Sequence, residues 1–359
     1  MNRTIPKKQQ YITCFSAFNH MRINRHGYMS PCCFVPQIPK VPQTAQLWNK
    51  KKGLHDYWFN GLNMEYQELF LESKFHAGCG VCKKRIEQNI IPPLNEYDWN
   101  VEDRMKGVAS ISYPKILDLE ISNLCNMECP MCFGHLSSKH AANRDKDIDF
   151  GLNVFDNDEN LDHLIEELKE FIPHLEQIRF VGGEPLAHKG MFKIAKVVAD
   201  IKPKLKLQVC TNGSVYNKKV EKLCKENNVQ FSFSVDTVIL EEYHKIRIGG
   251  KYEQTYSNID KFRNLVGKDN ININTTLMHI NAENIVKVFE YSLNNGYSLY
   301  VNTYSREGAR LIKITPDWGL HLVPFDIKCK VIKQCKEFLK QDLTDNYIVQ
   351  LNKVIKLLS

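Results

Sequence analysis

The sequence predicts an α/β fold whose parallel sheet is open or curled toward a barrel, preceded by a smaller N-terminal module. Three observations lead to this prediction. After Tyr113, short apolar strand patterns alternate with amphipathic helix patterns. Before Tyr113 the chain is rich in turns, with prolines at positions 31, 36, 39, 42, 92 and 93, and it carries five of the twelve cysteines. The length of 359 residues and the apolar content of 43% suffice for one large domain and a small module.

Each strand pattern of the predicted sheet except the last is followed by a helix pattern before the next strand. The strand patterns are KILDLEIS (115–122), QIRFVGG (177–183), LKLQVCTNG (205–213), VQFSFSVD (229–236), ININTTLMHI (271–280) and YSLYVNTYS (297–305). Helices are predicted at 161–172, 191–201, 217–227, 254–266 and 283–294, with closing helices at 324–341 and 344–358. This alternation predicts parallel strands joined by right-handed crossovers.

Charge and composition leave several classes of partner open. The chain has 48 basic and 41 acidic residues, a net charge of +7, and only short basic clusters at 50–52 and 83–85. Nucleic-acid binding is therefore permitted but not indicated. No N-terminal run resembles a signal peptide and no stretch resembles a membrane span, so we expect a cytoplasmic protein without a membrane partner. Twelve cysteines in such a protein favour metal or redox chemistry over disulfides.

Polar motifs follow the predicted strands at their carboxyl ends, where the active sites of parallel α/β sheets lie. NLCNMECPMCFG (123–134) follows the first strand and GGEP (182–185) ends the second. TNG (211–213) ends the third and SVD (234–236) ends the fourth, while Thr275-Thr276 lies in the fifth. Such motifs on five strands in succession indicate one ligand shared along the edge of the sheet.

The three thiols of the first motif form an incomplete set of metal ligands. Cys125, Cys129 and Cys132 have the spacing C-x3-C-x2-C, and no further cysteine follows for more than seventy residues. Thiolates select zinc or iron–sulfur clusters. His135 or His140 could complete a Cys3His zinc site. The alternative is a cubane cluster with one iron that the protein leaves open to another molecule.

Together these motifs resemble those of radical S-adenosylmethionine (radical SAM) enzymes. The resemblance covers about 116–305, and residues 233–259 are similar to the fourth-strand region of peptide-modifying members. Met131 stands where an aromatic residue often precedes the third cysteine. The resemblance implies a partial (β/α)6 TIM-like barrel, the radical SAM core, over 113–310, and leaves a helical C-terminal extension at 311–359.

The resemblance also implies cofactors and a reaction. Cys125, Cys129 and Cys132 would hold a 4Fe–4S cluster whose open iron binds the amino and carboxylate groups of S-adenosylmethionine. An electron from a low-potential donor of the flavodoxin or ferredoxin type would cleave the cofactor. The resulting 5′-deoxyadenosyl radical would abstract hydrogen from the substrate, which makes the protein an oxidoreductase.

Further residues are predicted to contact S-adenosylmethionine. Glycines 182 and 183 allow close approach of backbone carbonyls to the methionyl ammonium, and Glu184 adds charge there or braces the strand end. Ser234 and Asp236 are predicted to bond the ribose hydroxyls, and Arg247 to pair with the carboxylate. Each could instead be a turn glycine, a cap or a surface ion pair. Asn212 fits a turn or a ligand contact equally, and Thr276 and Asn281 are further candidates for the adenine edge.

The N-terminal residues 1–112 are similar to the first part of a SPASM/Twitch auxiliary-cluster module. In better-known members that module follows the catalytic domain, whereas here it precedes it. Cys14, Cys32, Cys79 and Cys82 are the predicted ligands of a single auxiliary 4Fe–4S cluster, with Cys33 as the alternative to Cys32. A four-cysteine zinc site is the competing hypothesis. A metal centre of either kind would stabilise a module with little core of its own.

The substrate class stays open at this level. The resemblance favours a peptide or another small natural-product precursor. A nucleotide or nucleic-acid substrate is the alternative, and a non-catalytic iron–sulfur or zinc scaffold is a hypothesis of a different class. The polar segment 137–163 is longer than a typical βα loop, so it either covers the site or forms a surface insert.

Overall fold

The computed structural model describes residues 14–35, 44–87, 112–304 and 317–359. Within them the strands are β1 (His20–Ile23), β2 (Tyr28–Ser30), β3 (Gln46–Leu47), β4 (Ile116–Leu119), β5 (Gln177–Phe180), β6 (Lys206–Thr211), β7 (Asn228–Ser234), β8 (Ile271–Leu277) and β9 (Ser298–Thr303). The α-helices are α1 (Ser16–Asn19), α2 (Leu62–Leu71), α3 (Gly80–Glu87), α4 (Ser138–Asn143), α5 (Asp158–Phe171), α6 (Lys189–Ile201), α7 (Lys218–Glu226), α8 (Leu240–Ile246), α9 (Tyr252–Val266), α10 (Ile285–Asn295), α11 (Phe325–Phe338) and α12 (Asp345–Leu358). None of these helices combines the length and the apolar character needed to cross a membrane.

The predicted α/β class is confirmed. Strands β4 to β9 are the six predicted strands, and their ends lie within three residues of the predicted ends. Helices α5, α6, α7, α9, α10, α11 and α12 are the seven predicted helices. The predicted strands at 177–183 and 205–213 were too long at their carboxyl ends. Glycines 182, 183 and 213 have positive φ angles there and turn the chain out of the sheet.

Contacts divide the described chain into two compact units, each built from several segments of the sequence. The first unit is Met1–Ser122, Gly151–Val181 and Gly190–Leu207, and the second is Asn123–Phe150, Gly182–Lys189 and Gln208–Ser359. Residue 310 itself lies outside the described residues. The predicted domain boundaries therefore stay a prediction.

The first unit is built on a mixed sheet with the strand order β3–β2–β1–β4–β5, followed by the first residues of β6. Strand β1 pairs with β2 in the antiparallel sense and with β4 in the parallel sense. The register places Arg22 of β1 beside Asp118 of β4, and Asp118 in turn beside Arg179 of β5. The other face of β4 and β5 is apolar and fully buried, as is the inner face of α5.

The parallel pairing of β1 with β4 was not predicted. The predicted sheet begins at residue 115, and the residues before it are rich in predicted turns. Strand β1 has only four residues, and its pattern is soon interrupted by the turn at Gly27, whose φ is +81°. A segment this short gains its strand conformation from the neighbour with which it pairs, and local sequence does not reveal that neighbour.

The second unit contains the rest of β6 and the strands β7, β8 and β9, which lie in that order. Phe231 is paired with Ile271, and Ile273 with Leu299, in parallel ladders. These apolar side chains are buried. The ring centroid of Phe231 lies 4.4 Å from the ring centroid of Phe262 on α9. The alternate residues of the same strands are polar and face the other way.

Helix α12 closes the free edge of β9. The side-chain oxygens of Asn346 and Gln350 accept hydrogen bonds from the backbone N–H groups of Leu299 and Val301, at 3.2 and 2.9 Å. An edge strand with free N–H groups is prone to pair with another chain. The predicted closing helix thus occupies the free N–H groups of β9 and protects this edge from pairing with another chain.

Candidate active site and auxiliary thiol site

The three-cysteine loop follows β4 and belongs to the second unit. Its conformation is fixed by the start of α4, because the N–H of Cys125 donates to Ser138 Oγ at 3.1 Å. Within the loop, the N–H of Cys132 donates to the carbonyl oxygen of Cys129 at 2.9 Å. Cys129 is buried, while Cys125 and Cys132 are partly exposed. The loop therefore presents three thiols from one ordered turn.

The two histidines considered as a fourth ligand have other partners. His140 is buried, and its Nδ1 lies 2.9 Å from Asp145 Oδ2, which also accepts the N–H of Gly134 at 2.8 Å. The ring of His135 stacks on Phe133 with centroids 5.8 Å apart. Among the described residues, no group of three or more His, Cys, Asp or Glu side chains is placed to hold a single metal ion. A cubane takes one thiolate on each of several irons and does not need the thiols around one point.

The surroundings of the thiols fit a cationic centre. Burial raises the pKa of Cys125, Cys129 and Cys132, and the nearby charge of Arg247 lowers each of them only in part. Such thiols give up their protons when a metal centre supplies the positive charge. The donor set of this loop therefore fits an iron–sulfur cluster.

Gly183 lets the GGEP segment pack directly on the cysteine loop. Its φ is +43°, and a Cβ atom there would lie 2.5 Å from the carbonyl oxygen of Leu124. The N–H of Glu184 donates to that same oxygen at 2.7 Å. The close approach predicted for this glycine is thus made to the chain itself, next to Cys125. Carbonyl contacts of Gly182 and Gly183 with S-adenosylmethionine stay a prediction.

Glu184 joins the ends of two strands. Its buried carboxylate accepts hydrogen bonds from Thr211 Oγ1 at 2.8 Å, from the N–H of Asn212 at 2.7 Å and from the N–H of Leu186 at 3.1 Å. Burial raises the pKa of Glu184 to about 7, although these three donors oppose the shift. Of the two roles predicted for Glu184, the described contacts show the brace at the strand end.

Asn212 shapes a turn and also reaches the cysteine loop. Its Oδ1 accepts the N–H of Ser214 at 2.9 Å, as a turn asparagine does. Its Nδ2 donates to Asn126 Oδ1 at 3.0 Å and approaches Cys125 Sγ at 3.8 Å. The turn role that the sequence left open for Asn212 is therefore seen, and its contact with a ligand stays a prediction.

Asp236 and Arg247 form a buried ion pair. Asp236 Oδ2 lies 2.6 Å from Arg247 Nη2, and Asp236 Oδ1 accepts the N–H of Thr276 at 2.8 Å. Arg247 Nη1 also approaches Cys129 Sγ at 3.8 Å. Burial lowers the pKa of Arg247, but Asp236 and Cys129 outweigh it, so the guanidinium stays charged. The two residues predicted to bind different parts of the cofactor are thus joined to each other and to a thiol.

Ser234 ends β7 beside this pair. Its side chain is partly exposed, and its register partner on β8 is Asn274. Asn281, the other candidate for the adenine edge, is buried and donates to the carbonyl oxygens of Asp236 and Thr276 at 2.8 and 3.0 Å. Asn281 therefore fixes the strand ends around Asp236, and ribose binding by Ser234 stays a prediction.

The auxiliary cysteines converge within the first unit. Cys14, Cys32, Cys79 and Cys82 line one cavity of about 390 Å³, a volume that includes space open to solvent, together with Phe34, Phe70 and Phe75. Cys33 is exposed and does not line this cavity, whereas Cys32 is buried. Of the two neighbours between which the sequence could not choose, Cys32 is the one placed with the other three thiols.

The auxiliary thiols also fit a cationic centre. Burial raises the pKa of Cys32 well above its ordinary value and that of Cys79 to about 12. The neighbouring thiols raise both values further. Four such thiols become ligands together when a metal centre compensates their charge. A four-cysteine zinc site stays the competing hypothesis for these thiols.

Comparison with known families agrees with the geometry of the three-cysteine loop. Residues 119–292 match the radical SAM superfamily. This chain carries a radical SAM domain. The predicted class, a radical SAM enzyme, is confirmed at the level of the superfamily. The superfamily implies a 4Fe–4S cluster and S-adenosylmethionine as cofactors, and Cys125, Cys129 and Cys132 are the residues that would hold the cluster.

Several known proteins are similar to parts of the chain. GTP 3′,8-cyclase of Helicobacter pylori (strain HPAG1) is 26% identical over 190 residues, which are 51% of this chain and 54% of that protein. The tungsten-containing aldehyde ferredoxin oxidoreductase cofactor-modifying protein of Pyrococcus furiosus is 25% identical over 189 residues, which are 51% and 49% of the two chains. The chain spans about half the length of the curated relatives it matches.

Solved structures with similarity to this chain include two with bound S-adenosylmethionine. Streptococcus suis SuiB has a TM-score of 0.47 and 17% identity, covering 96% of this chain and 72% of its own. The native anSMEcpe with bound AdoMet and Cp18Cys peptide has a TM-score of 0.45 and 21% identity, covering 63% and 60%. The SPASM/Twitch resemblance of residues 1–112 stays a prediction.

One charged network near the radical SAM domain was missed by the sequence analysis. In the first unit, buried Asp118 lies 3.1 Å from His20 Nε2 and 2.5 Å from Arg179 Nε, and Glu120 pairs with Arg22. Despite burial, His20 and Arg179 hold the pKa of Asp118 well below its usual range. The signal was present in ILDLEIS, where two acidic residues alternate with apolar ones in a strand that should be apolar on both faces.

Proposed function

We propose that this protein cleaves S-adenosylmethionine reductively and uses the 5′-deoxyadenosyl radical to abstract hydrogen from a substrate. The proposed substrate is a peptide or another small natural-product precursor. The observation that carries this proposal is that three motifs of the second unit are each joined to the cysteine loop. The cysteine loop is tied to GGEP by Glu184, to TNG by Asn212 and to the end of β7 by Arg247.

The chain's own residues hold and shield the reacting centre. When bound, the cluster supplies the electron that breaks a carbon–sulfur bond of S-adenosylmethionine. Gly183 and Glu184 fix the loop around Cys125, and the Arg247 guanidinium keeps a positive charge beside Cys129. A low-potential flavodoxin or ferredoxin is the proposed source of the electron.

The auxiliary thiols support a second cluster. Cys14, Cys32, Cys79 and Cys82 would hold it in the first unit, where they line one cavity. An iron–sulfur or zinc scaffold without catalysis would need neither Gly183 packed against the loop nor the buried Glu184 beside it. The presence of both favours the enzyme over the scaffold.

A nucleotide substrate is the second candidate. It is supported by the curated relatives named GTP 3′,8-cyclase, which match about half of this chain. The net charge of +7 is compatible with such a substrate. The identities of 26% and 28% leave room for a change of substrate, so the two candidates need a direct comparison.

The proposed reaction is tested by chromatography for 5′-deoxyadenosine. Reconstituted protein is incubated anaerobically with S-adenosylmethionine and dithionite, and 5′-deoxyadenosine should form. Cys129→Ala should abolish it, whereas Cys329→Ala, which changes an exposed thiol on α11, should not. If protein with its full iron content forms no 5′-deoxyadenosine with a peptide pool or with GTP, the scaffold hypothesis replaces this proposal.

A further inference from the structure

One face of β7, β8 and β9 carries uncharged polar side chains in register. The register defines three rows across the strands. The first is Ser232, Asn272 and Ser298, the second is Ser234, Asn274 and Tyr300, and the third is Thr276 and Asn302. We call these eight residues the amide face, after the asparagines at its centre. On the opposite face of the same strands, the apolar side chains of Phe231, Ile273 and Val301 are buried.

The amide face has the properties of a ligand surface. Parallel strands usually read as continuous apolar runs, because other elements cover both of their faces. Here Asn272 and Asn274 are partly exposed and Asn302 is exposed. Within the described part of the chain, no hydrogen bond joins these three carboxamides to another residue. Strands β8 and β9 thus present amide groups with unused donors and acceptors.

The charges on this face limit what it can bind. None of the eight side chains is charged, and among the described residues the cation of Lys353 contacts the face, with its Nζ 4.8 Å from the centroid of the Tyr300 ring. Lys353 is on α12, at the β9 border of the face. Proteins bind phosphates and carboxylates with arginine or lysine in direct contact. The part of a ligand that lies on Asn272 and Asn274 should therefore be uncharged.

The spacing of the asparagines favours an extended peptide. Alternate residues of a strand repeat about every 6.6 to 6.8 Å, which is also the repeat of alternate residues in an extended peptide. A carboxamide offers one acceptor and two donors, and these match the N–H and C=O of a peptide group. Asn272 and Asn274 could therefore bond alternate peptide groups of one chain. A single nucleobase would engage one of them and leave the other without a partner.

The face also leads toward the cysteine loop. Its third row contains Thr276, whose N–H donates to Asp236 Oδ1 at 2.8 Å. Asp236 is the partner of Arg247, which approaches Cys129 Sγ. A ligand along β8 would therefore end close to the residues that surround the proposed cluster.

We infer that the substrate lies on the amide face as an extended, uncharged peptide segment. Its backbone amide groups pair with the carboxamides of Asn272, Asn274 and Asn302. This inference rests on the proposed function and names its substrate class. Because the pairing involves backbone groups, it tolerates many side chains but requires free peptide N–H groups.

The test is equilibrium dialysis of the reconstituted full chain against defined peptide pools. The probe is a pool of acetylated, amidated dodecapeptides randomised among Gly, Ala, Ser, Thr and Val. The pool should bind, and the same pool with N-methylated peptide bonds should not. Asn272→Leu and Asn274→Leu should each weaken binding about tenfold, since a hydrogen bond contributes about 1 kcal/mol or somewhat more. Asn264→Leu, a matched change on exposed α9, should leave binding unchanged.

Three results would overturn the inference. They are the absence of binding by the capped pool, equal binding of the N-methylated pool, and displacement of the pool by GTP with the same dependence on Asn272 and Asn274. The last result would favour the nucleotide candidate. If 5′-deoxyadenosine forms but the pool does not bind, the proposed function stands and the peptide inference is wrong. If the pool binds but no 5′-deoxyadenosine forms, the peptide inference stands and the proposed function is wrong.

Discussion

Arg247 connects Asp236 to Cys129. One nitrogen of the guanidinium lies 2.6 Å from Asp236 Oδ2 and the other approaches Cys129 Sγ at 3.8 Å. A charged donor on a ligand sulfur stabilises the negative charge that a cluster gains on reduction. The ion pair therefore controls how much positive charge reaches the proposed cluster.

We expect Arg247→Gln to lower the reduction potential of the cluster at Cys125, Cys129 and Cys132. A hydrogen bond to a charged group contributes about 1.5 to 3 kcal/mol, which corresponds to a decrease of about 60 mV or more for one electron. Asp236→Asn should raise the potential, because it leaves the guanidinium without its anion. A redox titration followed by electron paramagnetic resonance measures both shifts.

Arg263→Gln is the control for this pair of variants. Arg263 lies on α9, where it bonds Asn295 and packs on the ring of Tyr297, away from the thiols. Its replacement should leave the potential unchanged. Equal potentials for Arg247→Gln and the wild type, at equal iron content, would show that Arg247 does not influence the cluster.

Gly183→Ala tests the packing of GGEP on the cysteine loop. Its Cβ would lie 2.5 Å from the carbonyl oxygen of Leu124, so the loop must move. Since displacements of about 1 Å near a reacting centre have large effects, we expect S-adenosylmethionine affinity to fall about tenfold or more. Equilibrium dialysis of the reconstituted protein measures this loss.

Gly267→Ala is a matched control for this change. Gly267 also has a positive φ, +80°, but a Cβ there meets no atom within 4 Å. An alanine at position 267 would carry backbone strain of about 1 to 3 kcal/mol, because φ +80° with ψ 157° favours glycine, but it would not make the clash. Equal losses of affinity in the two variants would mean that strain, and not the contact with Leu124, accounts for the effect.

Cys32→Ala and Cys33→Ala separate the two neighbours in the auxiliary module. Cys32 lines the cavity with Cys14, Cys79 and Cys82, whereas Cys33 is exposed. We expect Cys32→Ala to lose about half of the bound iron, one of two cubanes, and Cys33→Ala to keep all of it. Iron and zinc analysis of the purified chains measures this. Retained iron in Cys32→Ala would refute the ligand assignment, and zinc in place of iron would favour the competing hypothesis.

Glu184 should make stability depend on pH. Burial raises its pKa from 4.5 to about 7. The folded protein keeps this proton up to about pH 7, while the unfolded chain releases it near its ordinary pKa. As pH rises through this window, the wild-type free energy of unfolding should therefore fall relative to Glu184→Gln, by roughly 3 kcal/mol. Urea unfolding at several pH values measures the difference.

The control for this prediction is Glu290→Gln, which removes an exposed carboxylate on α10. The difference in free energy of unfolding between the wild type and Glu290→Gln should not change with pH as it does for Glu184→Gln. A constant difference between the wild type and Glu184→Gln from pH 5 to pH 8 would show that the carboxylate is stabilised in its charged form by its three donors.

Local sequence was sufficient to predict strands β4 to β9 and seven of the helices, and to single out the three thiols of the cysteine loop as candidate ligands. Alternating apolar residues predicted β4 to β9, because one face of each strand is buried while the other is polar. The spacing of Cys125, Cys129 and Cys132 indicated an open cluster because three thiols on one loop leave a ligand position unfilled. None of these inferences requires knowing which strands are neighbours.

The sequence by itself determined which residues could perform the chemistry, and the tertiary structure decided which of them meet. Arg247 is eleven residues from Asp236 and far from Cys129 along the chain, so only folding shows that one guanidinium serves both. The choice of Cys32 over Cys33 depends on burial against Phe70, which lies on α2, far along the chain. The rows of the amide face depend on strand register, which is set by long-range pairing and leaves no mark in local sequence.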